Sequence, residues 1–375
     1  MPGSLFIKIA VLPFFIWAFV LTSVALGAAP DDAVLKAKRE AESNGYIFVA
    51  SRDEILAKAK KEGRLRAVSG ISGSALQPTV DAFKKKYPFI DAQAVEIEGA
   101  VAYQRFLLEL KAGTSNKWDS TYLPYDNYNA FLPYQMKFDI LGMASAGILN
   151  IHPRMVDPVN RNTVSANTVA SVAVYNRKLI AEEKVPSKWE DFLKPEFKGR
   201  KFAADIRPSS VAALVPVWGL EATLAFARRL AAQEPVWVTG GTRAITVLQS
   251  GEAALGLAVQ LSSIKRVLAK DPANVAAYKL VEPIPIRVIS RIDGVLRMAE
   301  HPYAALLWLE FHASSESQKV LEDNGPFQAS FFTPGSGIEK ETRGKKLSEV
   351  DWSHLAKLDE YEAKIVEAYG FPRAK

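Results

Sequence analysis

Residues 64–123 read RLRAVSGISGSALQPTVDAFKKKYPFIDAQAVEIEGAVAYQRFLLELKAGTSNKWDSTYL. The stretch 64–68 has a short strand pattern and runs into a small-residue loop, Ser69-Gly-Ile-Ser-Gly-Ser74. A helix is expected next, to about Tyr87, with Leu76, Val80, Phe83 and Tyr87 at helical spacing. Pro78 fits only its first turn. Residues 94–97 read as a second strand, 102–112 as a second helix built on Phe106, Leu107 and Leu110, and 118–123 as a third strand. This alternation predicts an α/β fold with a mostly parallel sheet and right-handed crossovers.

Upstream, residues 31–63 are charged and helix-prone, with Asp53 as the expected N-cap of a helix ending near Gly63. Residues 5–27 are apolar except for Lys8, Thr22 and Ser23, and small residues follow at Ala28 and Ala29. That pattern predicts a secretory signal peptide over 1–28, with an uncleaved membrane anchor as the alternative. Downstream, strands are expected at 169–175, 202–205 and 254–259, and a short helix at 176–183. Strand pattern at 280–296 is interrupted by Pro283 and Pro285. Helices are expected at 302–323 and 348–369, the last with Trp352, Leu355, Leu358, Ile365 and Tyr369 facing inward. No low-complexity linker separates two halves, so two interleaved lobes fit better than two sequential domains.

Composition narrows the function classes. A chain of 375 residues predicts about two domains. Absence of cysteine excludes disulfides, thiolate metal sites, a cysteine nucleophile and a lipid-anchored N-terminus. An exported chain of this length can bury a sufficient core without disulfides. The four histidines form no close pair and no HExxH, and GxSxG is absent. No metal site, cofactor or catalytic set is therefore expected. Net charge is +6, but the basic runs Lys84-Lys85-Lys86 and Lys345-Lys346 are short and interspersed with acids, so nucleic acid is not an expected partner.

Several stretches resemble the periplasmic solute-binding proteins of bacterial ABC importers, nearest the ferric-ion/extracellular solute-binding type. Asp53-Glu-Ile-Leu-Ala-Lys-Ala-Lys-Lys-Glu-Gly63 with the strand after it looks like that family's first motif. Pro186-Ser-Lys-Trp189-Glu-Asp191-Phe-Leu-Lys-Pro195-Glu-Phe-Lys-Gly199 is similar to its passage into the second lobe. Gln249-Ser-Gly251-Glu252-Ala-Ala-Leu-Gly256 resembles its helix–turn–strand towards the hinge, and His301-Pro302 with Ser315-Glu-Ser-Gln318 its late return helix. The resemblance implies a two-lobed type II periplasmic-binding fold with two hinge crossings. The expected division is 1–28 signal peptide, 29–63 helical extension, 64–167 and 285–335 first lobe, 168–284 second lobe, and 336–375 a C-terminal helical segment. It further implies ligand-driven lobe closure, a transient partner in an inner-membrane permease, a periplasmic location and a monomeric state.

Candidate ligand groups follow from the loops. Ser69, Gly70, Ser72 and Gly73 lie between a strand and a helix N-terminus, where backbone N–H groups and the dipole suit an anion; a plain turn capped by Ser72 or Ser74 is the alternative. Arg207, Ser209 and Ser210 repeat the device around Pro208, the arginine offering a fork of donors for carboxylate or phosphate; a capped helix with a surface arginine is the alternative. Gly240-Gly241-Thr242-Arg243 has the same composition but reads better as an ordinary turn. Tyr122, Tyr125 and Asp126 lie at or just after the end of the third strand, and carboxyl strand ends face the cleft in such folds; surface or core aromatic packing is the alternative. Arg291 and Asp293 read as an internal ion pair. Iron-binding members carry adjacent tyrosines after the strand that follows the Gly-Glu turn. Here that stretch is Val259-Gln260-Leu261-Ser262-Ser263-Ile264, with Gln260 and Ser262 as hinge-side contacts instead. Ferric ion favours anionic oxygen ligands, so the expected solute is a small organic anion or zwitterion. A ferric carrier, an exported hydrolase and a solute sensor delivering to a receptor remain the alternatives.

Overall fold

The computed structural model describes residues 31–371 apart from 72, 98, 116 and 326–328. The expected signal peptide and Ser72 lie outside the described residues. Strands run in chain order as β1 (Arg64–Ser69), β2 (Asp91–Glu96), β3 (Ser120–Pro124), β4 (Thr163–Ser165), β5 (Val169–Asn176), β6 (Phe202–Asp205), β7 (Val236–Val238), β8 (Leu255–Gln260), β9 (Ala276–Lys279), β10 (Ile284–Arg287), β11 (Arg291–Val295) and β12 (Leu347–Val350). They form two sheets, ordered β2-β1-β3-β11-β4 and β12-β10-β5-β8-β6-β7, with β9 also on β5. Both sheets are mixed. β1 runs parallel to β2 and β3, whereas β11 enters antiparallel to β3 and β4. In the second sheet β6 is parallel to β7 and β8, while β5 opposes β8, β9 and β10. Antiparallel pairs arise where strands from far along the chain slot into a sheet begun by local β–α–β units.

The chain passes between sheets more than once. Residues 166–168 link β4 to β5, and 288–290 link β10 to β11. β12 then returns to the second sheet beside β10, with Ile284 opposite Leu347. Stretch 348–369, expected to be one helix, therefore starts as strand. It continues as a short turn of helix at Trp352–Leu355 and a helix at Leu358–Ala368. Leu358, Ile365 and Tyr369 are buried as expected.

Apolar spacing explains the layers. The helix Leu76–Lys86 buries Val80 and Phe83, and the Phe83 ring meets Trp308 edge-on at 5.1 Å. Trp308 lies in Pro302–Ala313, a helix buried on nearly every side under the first sheet. Expected helix 302–323 is two helices, because Ser314 turns extended (ψ 150) and caps Ser315–Asn324 through the Ser317 N–H. Ser51, not Asp53, caps Arg52–Glu62, accepting from the Glu54 N–H at 3.3 Å. The expected helix at 176–183 is a turn followed by a 3-10 turn at Glu182–Lys184. In the second lobe Trp189 is fully buried, its indole N–H donating to the Pro283 carbonyl at 2.8 Å. A further apolar cluster joins the lobes, bringing Leu123 and Phe131 together with Val172, Val259 and Ile286. Among the described residues no helix is long and apolar enough to cross a membrane.

Beneath β11 lies a buried polar trio. Arg291 Nε is 3.7 Å from Asp293, as the expected internal ion pair, and His312 Nδ1 is 3.5 Å from the same carboxylate. Burial holds the His312 imidazole below its ordinary value near 6.5, against the opposing pull of Asp293. It is thus neutral in the fold, whereas the unfolded chain takes a proton as pH falls through about 6.5. The associated stability is present above that pH and is lost progressively as pH falls below it. Urea unfolding between pH 7.5 and 5 should show this slope in the native chain and a shallower one in His312→Gln. Parallel profiles would contradict it.

Candidate functional site

A cavity of about 610 Å³ opens where the two sheets meet. Its walls follow from topology. Asp205 and Gln260 are the last residues of β6 and β8, and Thr239 follows β7 directly, so three parallel-running strands present their carboxyl ends to it. Arg287, the last residue of β10, and Tyr125, just after β3, complete it from the hinge and the first lobe. Glu362, from the final helix, also lines it.

Arg287 is the unusual group. It is only 8% exposed, and its Nη1 has no hydrogen-bond partner among the described residues. Its guanidinium lies 4.9 Å from the Tyr125 ring centroid, a cation–π contact that joins the two lobes. Arg207 is held differently. Asp205 accepts from the Arg207 backbone N–H at 3.0 Å and from its Nη2 at 3.2 Å. The same carboxylate accepts from the Gly240 N–H at 2.9 Å, tying the 239–241 loop to the end of β6. That hydrogen bond to Asp205 also holds Arg207 more firmly in its charged form. Ser171, on β5, donates to the Ser210 hydroxyl at 2.8 Å and fixes that side chain.

Two helices begin at the cavity wall, Gly241–Gln249 and Leu261–Lys270. Their first-turn N–H groups and positive dipole ends favour negative charge there. Arg266 lies one turn into the second of them. Three arginines face two carboxylates, so the cavity as a whole is suited to an anion. Among the described residues no group of three or more His, Cys, Asp and Glu converges as a metal site would require.

The structure gathers Tyr125, Arg207, Ser209, Ser210 and Gln260 from the expected set. Ser69, Gly70, Gly73, Tyr122 and Ser262 do not line this cavity. Ser69 is buried and accepts from the Ile71 N–H at 3.1 Å. Gly70 is pressed against Tyr122, where a Cβ would come within 2.7 Å of the ring. The Gly73 N–H donates to Glu96. Asp126 belongs to the same turn as Tyr125. Gly240, Gly241 and Thr242, expected to form an ordinary turn, do line the cavity. Sequence reading missed Arg287, whose signal was a single charge inside the apolar run Ile284-Pro-Ile-Arg-Val-Ile289.

The family model described as bacterial extracellular solute-binding protein matches residues 130–357. No curated protein matches the chain. Among solved structures, ferric iron-binding protein A from Mannheimia haemolytica in an open conformation is 17% identical with a TM-score of 0.64, covering 82% of this chain and 99% of its own. Iron-bound HitA from Pseudomonas aeruginosa is 18% identical with a TM-score of 0.58, over 81% and 99%. The substrate-binding protein of an ABC transporter from Agrobacterium tumefaciens is 16% identical with a TM-score of 0.56, over 81% and 96%. At these identities the likeness is one of fold.

Gly240 has φ +86 and ψ 157, a conformation that side-chain-bearing residues avoid, and a Cβ there would sit 2.8 Å from Arg207 Nη2. Gly240→Ala should therefore lower unfolding free energy by about 1–3 kcal/mol. An unchanged urea midpoint would show that the loop is not held as described.

Proposed function

The chain belongs to the bacterial extracellular solute-binding proteins, and on that premise we propose that it is the periplasmic capture component of an ABC importer for a small organic anion. The observation that carries this reading is Arg287, a buried guanidinium on the cavity wall with Nη1 unpaired among the described residues. A buried cation is costly unless compensated, and a bound anion compensates it.

In this reading the anion enters between open lobes. Arg287 Nη1, the Arg207 fork and the N–H groups at the start of Gly241–Gln249 and Leu261–Lys270 receive its oxygens. Ser209, Ser210 and Gln260 supply neutral hydrogen bonds. Closure rocks the lobes about 166–168 and 288–290 and brings Ser69, Gly70, Gly73, Tyr122 and Asp126 of the first lobe nearer the solute. The closed form is delivered to an inner-membrane permease by a monomer released from its signal peptide. Capture needs no turnover. Micromolar affinity requires about −8 kcal/mol. Several charge-assisted hydrogen bonds of about 1.5–3 kcal/mol each supply that after the costs of ordering and closure.

A ferric load is the second reading, favoured by the iron-binding proteins among the structural neighbours. Against it stand three arginines around the cavity and a hinge segment without tyrosine. Thermal melting with phosphate, sulfate, phosphonates, small carboxylates and ferric citrate separates the two. An anion should raise the melting temperature, and Arg287→Ala should weaken its calorimetric affinity by about tenfold or more. Stabilisation by ferric iron alone, or an Arg287→Ala variant with native affinity, would overturn the assignment.

A further inference from the structure

A second cavity, of about 430 Å³, adjoins the first. Tyr125 lines both. The helix Leu358–Ala368 also runs past both, giving Asp359 to one and Glu362, one turn later, to the other. The second cavity differs in chemistry: the rings of Tyr125, Tyr128 and Trp352 and the side chain of Leu355 line it beside a polar rim of Asn127, Asn129, Asn160 and the carboxylates of Asp157 and Asp359, and Val159 stands there with 78% of its surface exposed.

The aromatic walls are fixed by their polar ends. The Tyr128 hydroxyl donates to Asp157 and lies 2.9 Å from the Thr163 hydroxyl. Burial, with Asp157 beside it, pushes the Tyr128 phenol up, so it stays protonated and keeps that bond. Asp157 also accepts from the Val159 N–H at 2.7 Å and from the Asn160 amide at 2.8 Å, which anchors the 157–160 loop. The Trp352 indole N–H donates to the Arg154 carbonyl at 3.2 Å, and its ring lies 6.0 Å from that of Tyr128. Rings anchored in this way present prepared apolar faces at low entropic cost to whatever enters.

We infer that this cavity receives the body of the solute, an aromatic or heteroaromatic ring whose anionic group is held next door at Arg287. The inference rests on the anion reading of the first cavity and adds the class of molecule that carries the charge. Continuity selects this occupant: the ring of Tyr125 that carries the Arg287 guanidinium at 4.9 Å is also a wall of the aromatic cavity. The two cavities therefore share the Tyr125 ring as a common wall.

The test compares methylphosphonate with phenylphosphonate by calorimetry on the mature protein. Phenylphosphonate should bind at least fivefold tighter. Trp352→Ala should reduce that advantage to less than twofold and leave methylphosphonate affinity unchanged. Val159→Glu, an exposed position that leaves the core intact, should do the same even if the tryptophan variant fails to fold. Equal affinity of the native chain for the two probes overturns the inference while leaving the anion reading intact, and so do variants that weaken both probes alike. Binding of neither probe overturns the inference, and the anion reading is then decided by the melting series with phosphate, sulfate and carboxylates.

Discussion

A guanidinium withdrawn from water must be compensated, and the site depends on how Arg287 meets that demand. It sits at the end of β10 with its neighbours Ile286 and Val288 fully enclosed. Burying a charge without full compensation costs several kcal/mol even after relaxation. The Tyr125 ring meets part of the cost, and a polar cavity meets more. In the proposed reading the rest is left for an anion, and the desolvation that makes the residue costly in the empty protein would make it effective as a binding group. Tyr125 comes from the first lobe and β10 from the second sheet. The contact between them therefore ties the proposed site to the region where the chain passes between the two sheets.

The topology makes that joint shallow and shared. Strands cross between sheets on either side of it, and an apolar cluster spans both lobes instead of stopping at their boundary. β12 and the final helix add a further connection. Arg154 pairs with Glu349 at 2.6 Å and its guanidinium lies over Phe332, while Trp352 reaches back to the Arg154 carbonyl. These contacts hold the C-terminal segment across the lobes, where it walls both cavities. The segment thus contributes to the walls of both cavities and is more than a trailing helix.

Much of this was legible in the sequence, for definable reasons. Strands of six or eight residues with largely buried, apolar runs, such as β1, β5 and β8, carry enough pattern to be read locally. β4, β7, β9 and β12 have three or four residues each, too few to show a period, and they exist because neighbouring strands supply the hydrogen bonds. Pro285 blurred β10, since proline is expected only where its missing N–H is harmless. Arg207 was readable because it stands beside turn residues. Arg287 was not, because a charge inside an apolar run acquires meaning only when the fold shows a cavity at its tip. The third glycine turn at 240–241 was undervalued for the same reason: its composition matches an ordinary turn, and only the Asp205 clamp and Arg207 beside it mark it as a wall of the site.

The central claim is that an anion completes the environment of Arg287 between the lobes. A crystal structure grown with the anion that most raises the melting temperature tests it directly. The account predicts an anionic oxygen within about 3 Å of Arg287 Nη1, the hydrogen-bonding range, with the lobes closed over it. Density for the anion elsewhere, with Nη1 facing water or a protein group, would contradict it.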